Sequence, residues 1–257
     1  MADKLLHGEV AIITGAASGI GLAIAERFAA DEARVVIADA NAAAGAAIAQ
    51  RLGGLFVPGD LSRRESCLAL VERTVEAFGT VHVLVNNAGF QSINPIPDFP
   101  EETWERMIAV MLTAPFLLTK YAWPHMQRQR WGRIINMGSV HSLRASPFKI
   151  GYVSAKHGLL GLTRTIAREG GPNGILAHII CPGYVRTPLV ENQIADQART
   201  RGISPDQVVE QVITAPAAIK RLIEPAEVAA IVHFLCTDAA AAMTGTVMPI
   251  DLGWTAG

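Results

Sequence analysis

A chain of 257 residues, half of them hydrophobic and only 18% charged, carries enough apolar material for one large core or at most two small ones. Its formal charge of −1 leaves no electrostatic footprint for nucleic acid or an anionic membrane, and no apolar run approaches membrane-spanning length. Cys67, Cys181 and Cys236 are scattered in apolar contexts without metal-ligand spacing, and no leader-like segment is visible, so a soluble cytoplasmic protein without a bound metal is expected.

Residues 10–13 read as a buried strand. Thr14-Gly15-Ala16-Ala17-Ser18-Gly19-Ile20-Gly21 follows it and opens a helix predicted over 19–30. In that setting Gly15 permits a tight turn, Gly19 lets backbone approach a pyrophosphate, and Gly21 allows close helix packing. The helix start then offers free N–H groups and a positive dipole end to phosphate. A second strand over 34–38 leads into Asp39, where an adenosine ribose would lie. A carboxylate there accepts from ribose hydroxyls and repels a 2′-phosphate. Ala16, Ala17, Ala40 and Asn41 supply no cation for such a phosphate, so NAD is favoured over NADP. Asp39 could also serve as a helix cap.

Further apolar runs at 55–57, 81–85, 133–136, 175–181 and 246–250 read as strands. Helical patterns cover 41–52, 64–78, 101–129, 151–169 and 226–236. Near-continuous apolar strands are buried on both faces. The alternation predicts an α/β, Rossmann-type doubly wound parallel sheet of seven strands with helices on both faces, in one domain over 1–257. Residues 187–217 break the pattern. They are polar and helical, with Ser204-Pro205-Asp206-Gln207 as a capped start, and their place after a strand's C-terminal end suggests a small helical lid.

Tyr152 and Lys156 stand one turn apart on the predicted helix 151–169, with Ser139 upstream. A lysine ammonium held beside a tyrosine favours the phenolate, which lowers its pKa and makes a general base for an alcohol.

These motifs, with Asp60-Leu61, Asn86-Asn87-Ala88-Gly89 and Pro182-Gly183, resemble the short-chain dehydrogenase/reductase family in order and spacing across nearly the whole chain. The resemblance implies NAD-dependent oxidation of a secondary alcohol by a homotetramer. In it Tyr152 takes the alcohol proton, Ser139 holds the substrate oxygen, and Lys156 tunes Tyr152 and grips the nicotinamide ribose. It also implies that Ser18, Ile20, Asp60, Leu61, Asn87, Gly89, Pro182, Gly183, Val185 and Thr187 line the cofactor. Met111 stands where the family usually has Asn to support a proton relay. Pro115, four residues on, has no N–H to offer the Met111 carbonyl, so that acceptor is expected to stay free.

Residues 132–141, 146–149, 152–158, 181–193 and 253–255 resemble a narrower branch that acts on D-3-hydroxybutyrate. There the substrate carboxylate is bound by residues matching Gln91, His141, Lys149 and Gln193. Tyr184 departs from that branch's usual Trp and Leu252 from a common Gly, which leaves the size of the acid open. Two other readings remain: a short-chain dehydrogenase for another secondary alcohol, and an NAD-binding protein whose catalysis has lapsed.

Overall fold

The computed structural model describes residues 6–256, the side chains of residues 196, 197, 200 and 201 excepted. A seven-stranded sheet forms the middle layer, in the order β3-β2-β1-β4-β5-β6-β7. Its strands are β1 (Val10–Thr14), β2 (Arg34–Asp39), β3 (Leu55–Pro58), β4 (Val83–Asn86), β5 (Gly132–Met137), β6 (Ile175–Pro182) and β7 (Thr246–Ile250). Every neighbouring pair is parallel. Each residue of β1, β4 and β5 is buried, as expected of strands covered on both faces.

Helices α1 (Gly19–Ala30), α2 (Ala42–Leu52) and α3 (Arg64–Phe78) follow the first three strands. α4 (Glu101–Ile108) and α5 (Ala114–Gln129) precede β5, α6 (Ile150–Gly170) precedes β6, and α9 (Pro225–Leu235) precedes β7. Phe28, Ile37, Ile135, Ile180 and Val232 belong to the core on the α1 and α9 side. Leu70, Leu84, Leu118 and Ile134 belong to the opposite core, under α3 and α5. The strand order reverses between β1 and β4, so a crevice opens at their C-terminal ends. Among the described residues no helix is long and apolar enough to cross a membrane.

Two departures from the expected elements are local. Strand β4 begins at Val83, and just before it the His82 Nδ1 accepts from the Val10 N–H at 2.9 Å. The helix expected over 101–129 is interrupted by a π-helical turn at Ala109–Thr113, where the Ala114 N–H reaches back to the Ala109 carbonyl. Pro115 follows at once and removes an N–H from the ladder. Such single π-turns are frequent at functional sites. This one places Met111 beneath the crevice, 1% exposed, against Met107 and Ala155.

The excursion after β6 holds α7 (Pro188–Arg201) and α8 (Pro205–Val208), the latter running into a π-turn at Val209–Ile213. Thr187 caps α7 by accepting from the Val190 N–H, with Pro188 in the first turn. Ser204 and Gln207 form the reciprocal cap of α8 read from the sequence. A bridge between Val185 and Ile223 joins the two ends of the excursion. Val190, Ile194, Val208, Ile213 and Leu222 make its own small apolar cluster, with Tyr184 packed against it.

Candidate active site

A groove of about 410 Å³ runs along the crevice from Asp39 to Tyr152 and Thr187. All of the cofactor residues expected from the sequence line it except Gly21, which is buried behind it. There a Cβ would lie 2.3 Å from the Gly15 carbonyl oxygen, so the first turn of α1 packs directly on the loop. Gly15 has φ +63°, and a Cβ on it would come within 2.9 Å of Ala88 Cα. The loop is thus wedged between β1 and the segment after β4. Thr14 Oγ1 accepts from the Asn87 and Ala88 N–H groups at 2.9 and 3.0 Å, and Asn87 Nδ2 donates to the Thr14 and Gly15 carbonyls. Asp39 completes the cradle: its Oδ2 accepts from the Ala17 N–H at 3.0 Å and its Oδ1 from the Asn41 N–H at 2.9 Å. Asn41, not Asp39, caps α2 through its side chain. The glycine loop, the start of α1 and the Asp39 carboxylate line a groove of the kind that a dinucleotide would fit.

Arg106 was not foreseen. Its guanidinium lines the groove, 3.8 Å from Asp60 and 5.6 Å from the Phe90 ring. The Ser62 N–H and the nearby Arg106 charge hold the Asp60 carboxyl below the usual carboxylate range.

Ser139, Tyr152 and Lys156 meet at the inner end of the groove. Ser139 starts a single 3₁₀ turn after β5, and α6 carries Tyr152 and Lys156 one turn apart. Lys156 is 4% exposed; its Nζ donates to the Met137 carbonyl at 2.6 Å and lies 5.4 Å from the Tyr152 ring centre. Burial pushes the Tyr152 hydroxyl up to about 12, against a lowering by its hydrogen bond with Ser139. The depression by Lys156 expected from the spacing does not emerge in the protein alone. Lys156 is itself desolvated, which brings its ammonium down to about 8, and one of its three N–H donors goes to the Met137 carbonyl. A polar chain under the site ties α6 to the sheet: Asn86 Nδ2 donates to Asn136 Oδ1 at 2.8 Å, and Asn136 Nδ2 to Thr163 Oγ1 at 2.9 Å. Both asparagines sit in register on adjacent strands, a signal the sequence held in Asn86 and Asn136.

Beside Tyr152 a cavity of about 70 Å³ brings together Gln91, Ser139, His141, Lys149 and Gln193, with Tyr184 in its wall. Lys149 lies 5.7 Å from the Tyr184 ring centre, and burial lowers its pKa. Burial and the Lys149 charge bring His141 down to about 4, so it is neutral at pH 7. The C-terminal turn also reaches the site, because Trp254 packs edge-on against His141 at 5.9 Å. The arrangement sets two hydroxyls, those of Tyr152 and Ser139, beside the partly buried Lys149 ammonium.

Comparison with known proteins agrees with this geometry. A family profile described as enoyl-(acyl carrier protein) reductase matches residues 15–255. The chain is 44% identical to a D-beta-hydroxybutyrate dehydrogenase of Rhizobium meliloti (strain 1021), over 96% of this chain and 99% of that protein. It is 39% identical to a D-beta-hydroxybutyrate dehydrogenase of Cupriavidus necator, over 98% of this chain and 100% of the other. A cis-4-hydroxycyclohexanecarboxylate dehydrogenase of Sinomonas cyclohexanicum is 36% identical over 96% of each. With the parallel sheet, the glycine loop and the Ser139, Tyr152 and Lys156 cluster, this chain belongs to the short-chain dehydrogenase/reductase family of oxidoreductases.

Proposed function

We propose that the protein is an NAD-dependent dehydrogenase of D-3-hydroxybutyrate, interconverting that acid and acetoacetate. The observation that carries the reading is Lys149. Among the described residues it has no carboxylate partner within 4.0 Å, yet it is partly buried in a cavity that opens on Ser139 and Tyr152. A desolvated ammonium without a counter-ion is unfavourable, and a substrate carboxylate would supply one. Gln91 and Gln193 offer amide donors beside it. The cavity's volume of about 70 Å³ suits a short acid. The names of two relatives support the same substrate.

In this reading Ser139 donates to the substrate oxygen and Tyr152 accepts the hydroxyl proton. Lys156 stabilises the phenolate as it forms. Bound oxidised nicotinamide supplies the hydride acceptor, so the hydroxy acid leaves as a keto acid with one proton released. Lys149 fixes the carboxylate and thereby which face of the carbinol carbon points to the cofactor. NADH formation across short 3-hydroxy acids of both configurations tests the assignment. D-3-hydroxybutyrate should have the highest kcat/KM; an equal or higher value for an uncharged secondary alcohol would overturn it.

Asp39 supports NAD over NADP, since a carboxylate fixed by two backbone N–H groups repels a 2′-phosphate. Asp39→Ala should shift the kcat/KM ratio toward NADP by roughly tenfold, about the worth of one charge-assisted contact. An unchanged ratio in steady-state kinetics would remove Asp39 from cofactor selection.

We further propose that the Met111 carbonyl, left without an i+4 donor by Pro115, acts as the acceptor in the site's proton exit. Pro115→Ala should restore the helical donor and lower turnover, most clearly at low pH. A wild-type pH profile in that variant would make the π-turn purely structural. On the same reading the enzyme is a cytoplasmic homotetramer. The exposed Trp104 on α4 and Phe116 on α5 suit an interface between copies, which light scattering of Phe116→Glu would test.

A further inference from the structure

In the proposed reaction the substrate oxygen is held by the Ser139 hydroxyl, and the turn that carries Ser139 is closed by a second serine. Ser142 ends the 3₁₀ turn Val140–Ser142 and is 1% exposed. Its N–H donates to the Ser139 carbonyl at 2.8 Å, and its Oγ accepts from the Ser139 N–H at 3.2 Å. One residue thus holds both backbone polar groups of Ser139. The Ser139 side chain is left for the groove, where it is hydrogen-bonded to the Tyr152 hydroxyl.

The Ser142 hydroxyl is itself seated from below. The Cys181 thiol on β6 is fully buried and hydrogen-bonded to the Ser142 side chain and the Ser139 backbone. Burial pushes that thiol up, so at neutral pH it keeps its proton and puts no charge beneath the site. Gly138 supplies the room. A Cβ there would lie 2.8 Å from Ser142 Oγ and 2.8 Å from Ile179 Cγ1, so a larger residue would push the hydroxyl off the Ser139 peptide. The Gly138 N–H donates to the Ile180 carbonyl at 2.7 Å, which fastens the start of the turn to β6. Neither Ser142 nor Cys181 lines the groove or the cavity beside Tyr152, so any effect on the reaction passes through Ser139.

We infer that Ser142 is a positioning residue for the reaction: seated on Cys181, it fixes the Ser139 backbone so that the Ser139 hydroxyl stays aimed at Tyr152 and the reacting oxygen. A serine hydroxyl turns about a single torsion, so fixing the backbone on both sides of Ser139 fixes the arc its oxygen can sweep. A reacting group misplaced by a fraction of an ångström costs rate and not affinity, which is where such a brace acts. The inference rests on the dehydrogenase reading above and not on which acid is oxidised.

The test is a double-mutant cycle on the full-length enzyme with D-3-hydroxybutyrate and NAD. Ser142→Ala leaves the buried Ser139 N–H without its oxygen acceptor, and the turn should relax to find another. Then kcat should fall about five- to tenfold, the size of one lost hydrogen bond, with KM little changed. The rise of oxidation with pH should also move to more alkaline pH, because the bond from Ser139 that lowers Tyr152 is loosened. Ser142→Cys, which keeps a weaker acceptor, should fall between parent and Ser142→Ala. In a Ser139→Ala background neither substitution should change kcat or the pH profile further. The same fall in both backgrounds would overturn the inference, since Ser142 would then act on the site without Ser139. A parent-like kcat and pH profile in Ser142→Ala would overturn it as well. Melting temperature and NAD affinity report whether Ser142→Ala is folded; if it is not, Ser142→Cys must show the same dependence on background or the inference falls. Parent-like turnover in Ser139→Ala alone would remove the proposed role of Ser139 together with the inference, an outcome that no other arm produces.

Discussion

Tyr152→Phe should lower turnover by about 10²–10⁴-fold, the range for removing a positioned acid or base. The phenol ring fills the space between His141 and the groove, and phenylalanine keeps that ring, so the cofactor cleft survives the change. NAD affinity, measured by fluorescence quenching, should therefore stay near the parent value. Direction and pH separate the hydroxyl's role from packing. Burial pushes Tyr152 up to about 12, so at neutral pH the resting group is protonated. Oxidation needs the deprotonated base and should speed up as pH rises. Reduction needs the acid and should not. In Tyr152→Phe both dependences should flatten. Near-normal turnover in that variant would require another base.

Lys156→Met should be nearly as damaging, with a loss in kcat/KM of about 10²-fold from the missing charge-assisted contacts. The reason is local. Lys156 is buried against the Met137 carbonyl, and its ammonium lies 5.4 Å from the Tyr152 ring centre. Methionine retains the stem but strands the carbonyl and leaves a forming phenolate unbalanced. Desolvation has already brought the lysine down to about 8, so the parent should lose some of the same assistance above that pH. Kinetic profiles of parent and variant should differ most below pH 8 and converge above it. Parallel profiles would mean that Lys156 acts by packing alone.

Much of this site is legible in the sequence alone. The glycine loop and Asp39 announce themselves because their chemistry depends on backbone shape and short spacing. Tyr152 and Lys156 do so because i and i+4 share a helix face. The π-turn at Ala109–Thr113 was not readable, since a proline in a first helical turn fits an ordinary helix equally well. The desolvation that raises Tyr152 was not readable either: spacing shows the lysine, but only the fold shows the phenol's surroundings and the bond from Nζ to the Met137 carbonyl. Trp254 and Arg144 act on His141 from distant or backbone positions, which no local pattern reports.

The excursion between Val185 and Ile223 carries one more consequence. Its apolar cluster is separate from both sheet cores, and its two ends are tied by the Val185–Ile223 bridge and the Arg186–Glu224 ion pair. A segment built this way is expected to open as one cooperative unit, at a free energy below that of global unfolding. Amide hydrogen exchange should therefore be uniform across 188–213, faster than in β1 or β5, and slowed throughout by any ligand that engages Gln193 or Tyr184. The rate at which this unit opens would then set an upper limit on product escape, however fast the chemistry beneath it runs.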